Sequence, residues 1–289
     1  MRLCTVRLSD GGTNAAALNS DRWIRLPFSD VGALLREDHW RQRVQDVIAA
    51  GGQDVDSETI TTALAPVIAE PGKIVCCGHN YRAHIAEMGR PEPAFPTLFA
   101  KFADTLTGAF DEISLPNEAE QLDWEAELAV VVGATLVRAT EAECRRAIAG
   151  YTVANDLSVR SWQRRTTQWL QGKAFDATTP LGPVMVTADE CDPSDGLRVT
   201  CTVNGQEQQR GSTDDLLFDP IALLAYISTF TTLRPGDIVL TGTPGGVGAG
   251  STPPRFLGDG AVVETEIEGI GMQRNVIRIQ SNELTSSAS

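Results

Sequence analysis

Positive charge is in short supply in this chain. Its 289 residues hold 24 Lys and Arg against 38 Asp and Glu, a formal net charge of -14. Nucleic-acid binding depends on Lys and Arg neutralising phosphates, so this balance argues against it. Histidine is scarce as well, with three residues, and aromatics make up 6%. Cys4, Cys76, Cys77, Cys144, Cys191 and Cys201 include no Cys-x-x-Cys pair, which leaves zinc-ribbon and thioredoxin-like readings without support. No apolar stretch reaches the roughly 18 residues of a membrane span, and the N-terminus has no apolar signal core. The expected location is the cytoplasm, with reduced thiols and no membrane partner.

What is present reads as a globular chain, with 42% apolar and 21% charged residues. The length holds one large domain, or one with a small appendage. Residues 1 to about 30 alternate loosely and predict a β-meander. Residues 31–50 carry apolar side chains at three- and four-residue spacings and predict a helix, ended by Gly51-Gly52. Residues 64–72, with Pro66 and Pro71, read as a linker. The expected layout is a small N-terminal α+β domain over 1–66, a β-rich mixed α/β body over 71–280 and a loose polar tail over 281–289. Asn204-Gly205 marks a hairpin inside that body.

The chemistry gathers on acidic residues. Glu125 and Glu127 stand two apart, just before the apolar run Ala129-Val130-Val131-Val132. On a strand, residues i and i+2 share a face, so both carboxylates point one way into a region being buried. Two like charges there are costly unless a cation sits between them. Alone, such a pair is more often an ordinary solvated strand edge. Asp156, after Asn155 at the end of another predicted strand, supplies a third carboxylate. Three carboxylates hold Mg²⁺ or Mn²⁺ and leave positions for water and substrate; Ca²⁺ uses the same hard oxygens, and Zn²⁺ would want His or Cys. Removing any one of the three should relieve repulsion in the metal-free protein.

His84 and Glu87 are spaced i, i+3 in a helix-like segment and can share a face. A carboxylate that fixes an imidazole tautomer is the wiring of a general base for water; the ordinary alternative is a surface helix pair. His79, ahead of Asn80-Tyr81, is a candidate pocket contact, and His39 in a charged run reads as solvated. Lys173, in Gly172-Lys173-Ala174-Phe175-Asp176, is either a surface charge or an inward cation for a carboxylate or enolate. Thr241-Gly242-Thr243-Pro244-Gly245-Gly246-Val247-Gly248 follows a strand but lacks the Gly-Lys-Ser/Thr ending of a phosphate loop and leads into Ser251-Thr252-Pro253-Pro254. It reads as a backbone wall near a small anionic ligand.

In this order, the motifs around His79–His84, Asp123–Leu128, Asn155-Asp156, Gly172–Asp176 and Thr241–Pro244 resemble the fumarylacetoacetate hydrolase family. The resemblance covers roughly residues 71–278. It implies a mixed β-sandwich roll, a homodimer, and Mg²⁺ or Mn²⁺ on Glu125, Glu127 and Asp156. It implies a water-activating pair of His84 and Glu87, with Lys173 as a catalytic cation. It implies substrate contacts from Tyr81, Arg160, Gln163, Gln209 and Thr243. The expected activity is metal-dependent hydrolysis of a carbon–carbon bond in an acylpyruvate-type 2,4-dioxo acid, such as fumarylpyruvate, to pyruvate and a carboxylic acid. Rival readings are oxaloacetate decarboxylation on the same centre, isomerisation or hydration of the 2-oxo dienoic acids of aromatic catabolism, and a noncatalytic small-molecule binding protein.

Overall fold

The computed structural model describes residues 1–87 and 89–280; the tail expected over 281–289 lies outside them. Its axis is the strand Ala126–Val132, buried at every position. An unbroken apolar run is what a strand covered on both faces requires. It pairs antiparallel with Ile148–Asn155 on one side and Ile238–Leu240 on the other. Ile238–Leu240 runs parallel to Ile74–Gly78, and Thr97–Lys101 closes that edge. In the other direction, Ile148–Asn155 takes Met185–Thr187, which takes Arg2–Arg7. The N-terminal meander then extends the same sheet, which has ten strands among the described residues.

A five-stranded sheet packs against it, in the order Gln206–Ser212, Arg198–Val203, Val262–Ile267, Gly271–Ile279, Glu112–Leu115. The first two form the hairpin at Asn204-Gly205, where φ is positive at both residues (51° and 75°), as a type I′ turn needs. Side-chain alternation divides the central strand between two cores. Leu128 and Val130 join Val153, Val199, Val263 and Ile277 between the sheets. Ala129 and Val131 face the other way and meet Leu34, Leu35 and Val44. The result is the strand-rich mixed α/β architecture that the resemblance implied, built on these two main sheets.

Two expectations need adjusting in detail. The helix over 31–50 is two, Val31–Leu35 and Trp40–Ala49. The charged stretch Arg36–His39 between them is exposed and buys no burial, and His39 turns left-handed with φ 57°. The N-terminal strands also hydrogen-bond directly into the large sheet and share its outer apolar cluster with Ile74, Cys76 and Ile238. The boundary drawn near residues 66–71 therefore falls inside one continuous sheet.

Candidate metal centre and cleft

Strand register assembles the acidic group. Ala126 lies opposite Asn155 and Glu127 opposite Ala154. One residue further on, the Asp156 amide donates to the Glu125 carbonyl (2.9 Å), which sets Asp156 beside Glu125. Glu125 immediately precedes the strand, and its amide donates to the Asn155 side chain (3.0 Å). All three carboxylates are buried, and one oxygen from each lies within 4.8 Å of the others. Around a six-coordinate ion with bonds of about 2.1 Å, ligand oxygens sit about 3 to 4.2 Å apart. The donor set therefore fits one hard divalent ion after small side-chain rotations, and an all-oxygen set suits Mg²⁺, Mn²⁺ or Ca²⁺ rather than Zn²⁺.

Three buried cations hold these carboxylates. Lys173 Nζ donates to Glu125 Oε2 and Asp156 Oδ2, both at 2.8 Å. Lys101 Nζ donates to Asp156 Oδ1 at 2.6 Å. Arg160 pairs with Glu125 Oε1 at 2.6 Å and, through Nε, with Asp123 at 2.8 Å. Each carboxylate oxygen has lone pairs to spare, so these bonds orient Glu125 and Asp156 and leave capacity for a metal. Among the described residues Glu127 has no cation within ion-pair distance. Its Oε2 accepts from the Gly242 amide at 2.7 Å.

The titration behaviour follows. Burial raises the Glu127 carboxyl well above the usual carboxylate range, and Asp156 and Glu125 add to the rise. Burial also pushes Asp156 and Glu125 upward, but the net direction is down for both, because Lys101 and Lys173, or Lys173 and Arg160, outweigh it. Lys173 is held charged, well above the ordinary lysine range, by Asp156 and Glu125 against the opposing effect of burial. With Glu127 ionised, four carboxylates including Asp123 face three cations. A divalent ion would turn that single negative charge positive, which suits an anionic ligand.

The centre opens on a cleft of about 650 Å³ lined by Glu125, Glu127, Lys173, His84, Arg160 and Thr243, among others. His84, on the helix Arg82–Glu87, has a side chain 12% exposed, while that of Glu87 is 65% exposed. His84 Nδ1 lies 3.3 Å from Glu87 Oε2. A carboxylate only accepts, so Nδ1–H donates and Nε2 is the basic atom. Gln163 lines the cleft and accepts from Arg160 (2.8 Å).

Tyr81 and Gln209 stand elsewhere than expected. Tyr81 is 1% exposed and packs beside Gly211, and its hydroxyl finds no hydrogen-bond partner among the described residues. Gln209 is buried as a structural tie. It accepts from the Ala126 amide (2.9 Å) and donates to Thr243 Oγ1 (2.8 Å) and the Pro244 carbonyl (2.9 Å). Neither lines the cleft. Sequence reasoning also missed Lys101. The available signal is its spacing: Phe99 and Lys101 stand two apart on Thr97–Lys101 and so share the face that lines the site.

The family model for the fumarylacetoacetate (FAA) hydrolase C-terminal domain matches residues 73–278. The chain belongs to the fumarylacetoacetate hydrolase family. It is 45% identical over 220 residues to the human mitochondrial oxaloacetate tautomerase FAHD2A, a match that covers 75% of this chain and 69% of that protein. Among solved structures it resembles the 5-carboxymethyl-2-hydroxymuconate delta-isomerase of Mycobacterium smegmatis (TM-score 0.78, 31% identity, 97% of this chain and 100% of the other). It also resembles the maleylpyruvate hydrolase of Sphingobium sp. SYK-6 in complex with manganese(II) and pyruvate (TM-score 0.79, 25% identity, 97% and 100%). The proteins that this chain resembles thus include a tautomerase, an isomerase and a hydrolase.

Proposed function

We propose that this chain is a divalent-metal enzyme that interconverts the enol and keto forms of a small 2-oxo acid, with oxaloacetate as substrate. The observation that carries this reading is one cleft lined by both a lysine-backed carboxylate centre and a carboxylate-oriented imidazole. The 45% identity to an oxaloacetate tautomerase supports the substrate. A divalent ion on Glu125, Glu127 and Asp156, Mg²⁺ or Mn²⁺ with Ca²⁺ as the third choice, would supply positive charge at the 2-oxo oxygen and favour the enolate. Lys173 uses two of its N–H groups on the carboxylates and offers the third to the ligand. His84 Nε2 takes the enol O–H proton and returns it to C3, and the reverse sequence makes the enol.

Hydrolysis of an acylpyruvate is the second reading. The likeness to a hydrolase solved with manganese(II) and pyruvate favours it, and it assigns His84 to water. Oxaloacetate decarboxylation would draw on the same electron sink without a water. The discriminating experiment adds enol-oxaloacetate to the protein with Mg²⁺ or Mn²⁺, follows the enol absorbance and assays pyruvate in parallel. Accelerated enol decay without matching pyruvate is expected. Faster pyruvate release from an acylpyruvate than enol conversion would favour the second reading.

Two further expectations join this reading. Exposed Phe95 and Phe230 flank Tyr226, with ring centroids 6.1 and 6.0 Å away, an apolar patch that supports a homodimer. Light scattering should give twice the 31.0 kDa chain mass, and 31.0 kDa alone would contradict it. All six cysteines are free and buried, which supports a reducing compartment. Among the described residues, no helix is long and apolar enough to cross a membrane.

A further inference from the structure

One wall of the cleft runs from the metal centre to an arginine without an acid. Lys173 Nζ lies 5.0 Å from the Phe99 ring. Phe99 packs edge-on against Trp169 (5.5 Å between centroids), and Trp169 against His79 (5.3 Å). Gly78 keeps Trp169 seated there, since a Cβ would meet its ring at 2.5 Å. His79 holds φ at 55°, a left-handed conformation uncommon outside glycine. Its Nε2 lies 3.2 Å from Arg90 Nη1. Guanidinium only donates, so Nε2 is the acceptor and this imidazole is neutral. Burial lowers the His79 pKa, and the charge of Arg90 lowers it further, in keeping with that state.

Arg90 lines the cleft. Nine other arginines, Arg160 among them, pair with carboxylates. Arg90 has no carboxylate within 4.0 Å among the described residues, in a chain with 38 acids to 24 bases. An exposed arginine is ordinarily just solvated. Here it is fixed instead, by a histidine whose backbone is strained, at the far end of an aromatic wall that limits water.

We infer that Arg90, set by His79, anchors the distal carboxylate of a 2-oxo dicarboxylate and thereby separates such acids from 2-oxo monocarboxylates. This rests on the reading of the cleft as a 2-oxo acid site. The head group meets the Glu125–Glu127–Asp156 end, and the second carboxylate takes the guanidinium N–H groups that His79 leaves free. His79 is a positioning residue. Arg164 also lines the cleft without a carboxylate partner, but no side-chain hydrogen bond fixes it among the described residues.

Pyruvate carries the same head group as oxaloacetate and lacks the distal carboxylate, so the pair isolates the anchor. The assay measures KM and kcat for oxaloacetate and the inhibition constant of pyruvate, with Mg²⁺ present. Arg90→Met should raise the oxaloacetate KM about 10- to 100-fold, the scale of a lost hydrogen bond to a charged group. The pyruvate constant and kcat should stay put, and Arg90→Lys should recover part of the loss. His79→Ala should raise the same KM by less. An unchanged KM in Arg90→Met, equal weakening of both ligands, or a larger effect from Arg164→Met overturns the anchor while the 2-oxo acid reading stands. If the wild-type protein neither converts oxaloacetate nor binds pyruvate, that reading fails and the anchor fails with it.

Discussion

The three carboxylates of the centre carry different electrostatic loads, although each stands in the same acidic cluster. Asp156 is bonded by Lys101 and Lys173, and Glu125 by Lys173 and Arg160. Removing Asp156 takes from buried Lys101 its carboxylate, which costs about 3–5 kcal/mol for a broken buried pair, whereas removing Glu125 leaves Lys173 on Asp156 and Arg160 on Asp123 and takes one of two partners from each. Among the described residues Glu127 has only the Gly242 amide as a hydrogen-bond partner, and it carries the repulsion of the other two. The relief expected from deleting any one carboxylate therefore belongs to Glu127 alone. In EDTA at neutral pH, Glu127→Gln should melt above the wild type and Asp156→Asn below it. Neither should gain the full stabilisation that added Mg²⁺ gives the wild type. Equal melting of the two variants would contradict this division. The pH dependence of the metal-free protein follows with opposite signs. The raised Glu127 carboxyl favours folding below the ordinary glutamate range, and that contribution is lost as pH rises through its folded value. The lowered Asp156 and Glu125 carboxyls favour folding above the ordinary carboxylate range, a contribution lost as pH falls through theirs.

At the scale of elements, one loop serves both halves of the cleft. Thr241 is anchored to Leu128 by its hydroxyl (3.0 Å), Gly242 aims its amide at Glu127, and a Cβ on Gly245 would lie 2.7 Å from Glu87. Gly242 has φ +95°, and a Cβ there would stand 2.8 Å from the Cys77 carbonyl. Gly242→Ala should turn the amide away from Glu127 and weaken Mn²⁺ binding about 10- to 100-fold, the usual cost of a lost outer-sphere partner. Calorimetric titration checks this, and unchanged affinity would show that the loop does not orient the ligand. The sequence pattern made part of this readable. Alternation placed Glu125 and Glu127 on one face, and Asn204-Gly205 marked its hairpin. The loop's glycines read as a wall for a foreign anion, whereas in the fold the first anion they meet is the protein's own Glu127. That depends on register between strands over a hundred residues apart, which local pattern does not encode. Lys101 was hidden for the same reason, and Tyr81 and Gln209 because a motif does not say which way a side chain points.

Across the whole molecule, the two main sheets and the family match account for the scaffold, while the proposed chemistry would rest on a divalent ion held by Glu125, Glu127 and Asp156 and on a proton carried by His84. The central claim is tested most directly by enol-oxaloacetate decay in one series: wild type after exhaustive EDTA, the same protein after Mn²⁺ is restored, and His84→Ala with Mn²⁺ occupancy verified. Loss of activity in EDTA, recovery with Mn²⁺, and a fall of about 10²–10⁴-fold in His84→Ala, the usual contribution of a positioned acid–base group, are predicted. Full enol conversion in EDTA, or His84→Ala at the wild-type rate, would contradict the account.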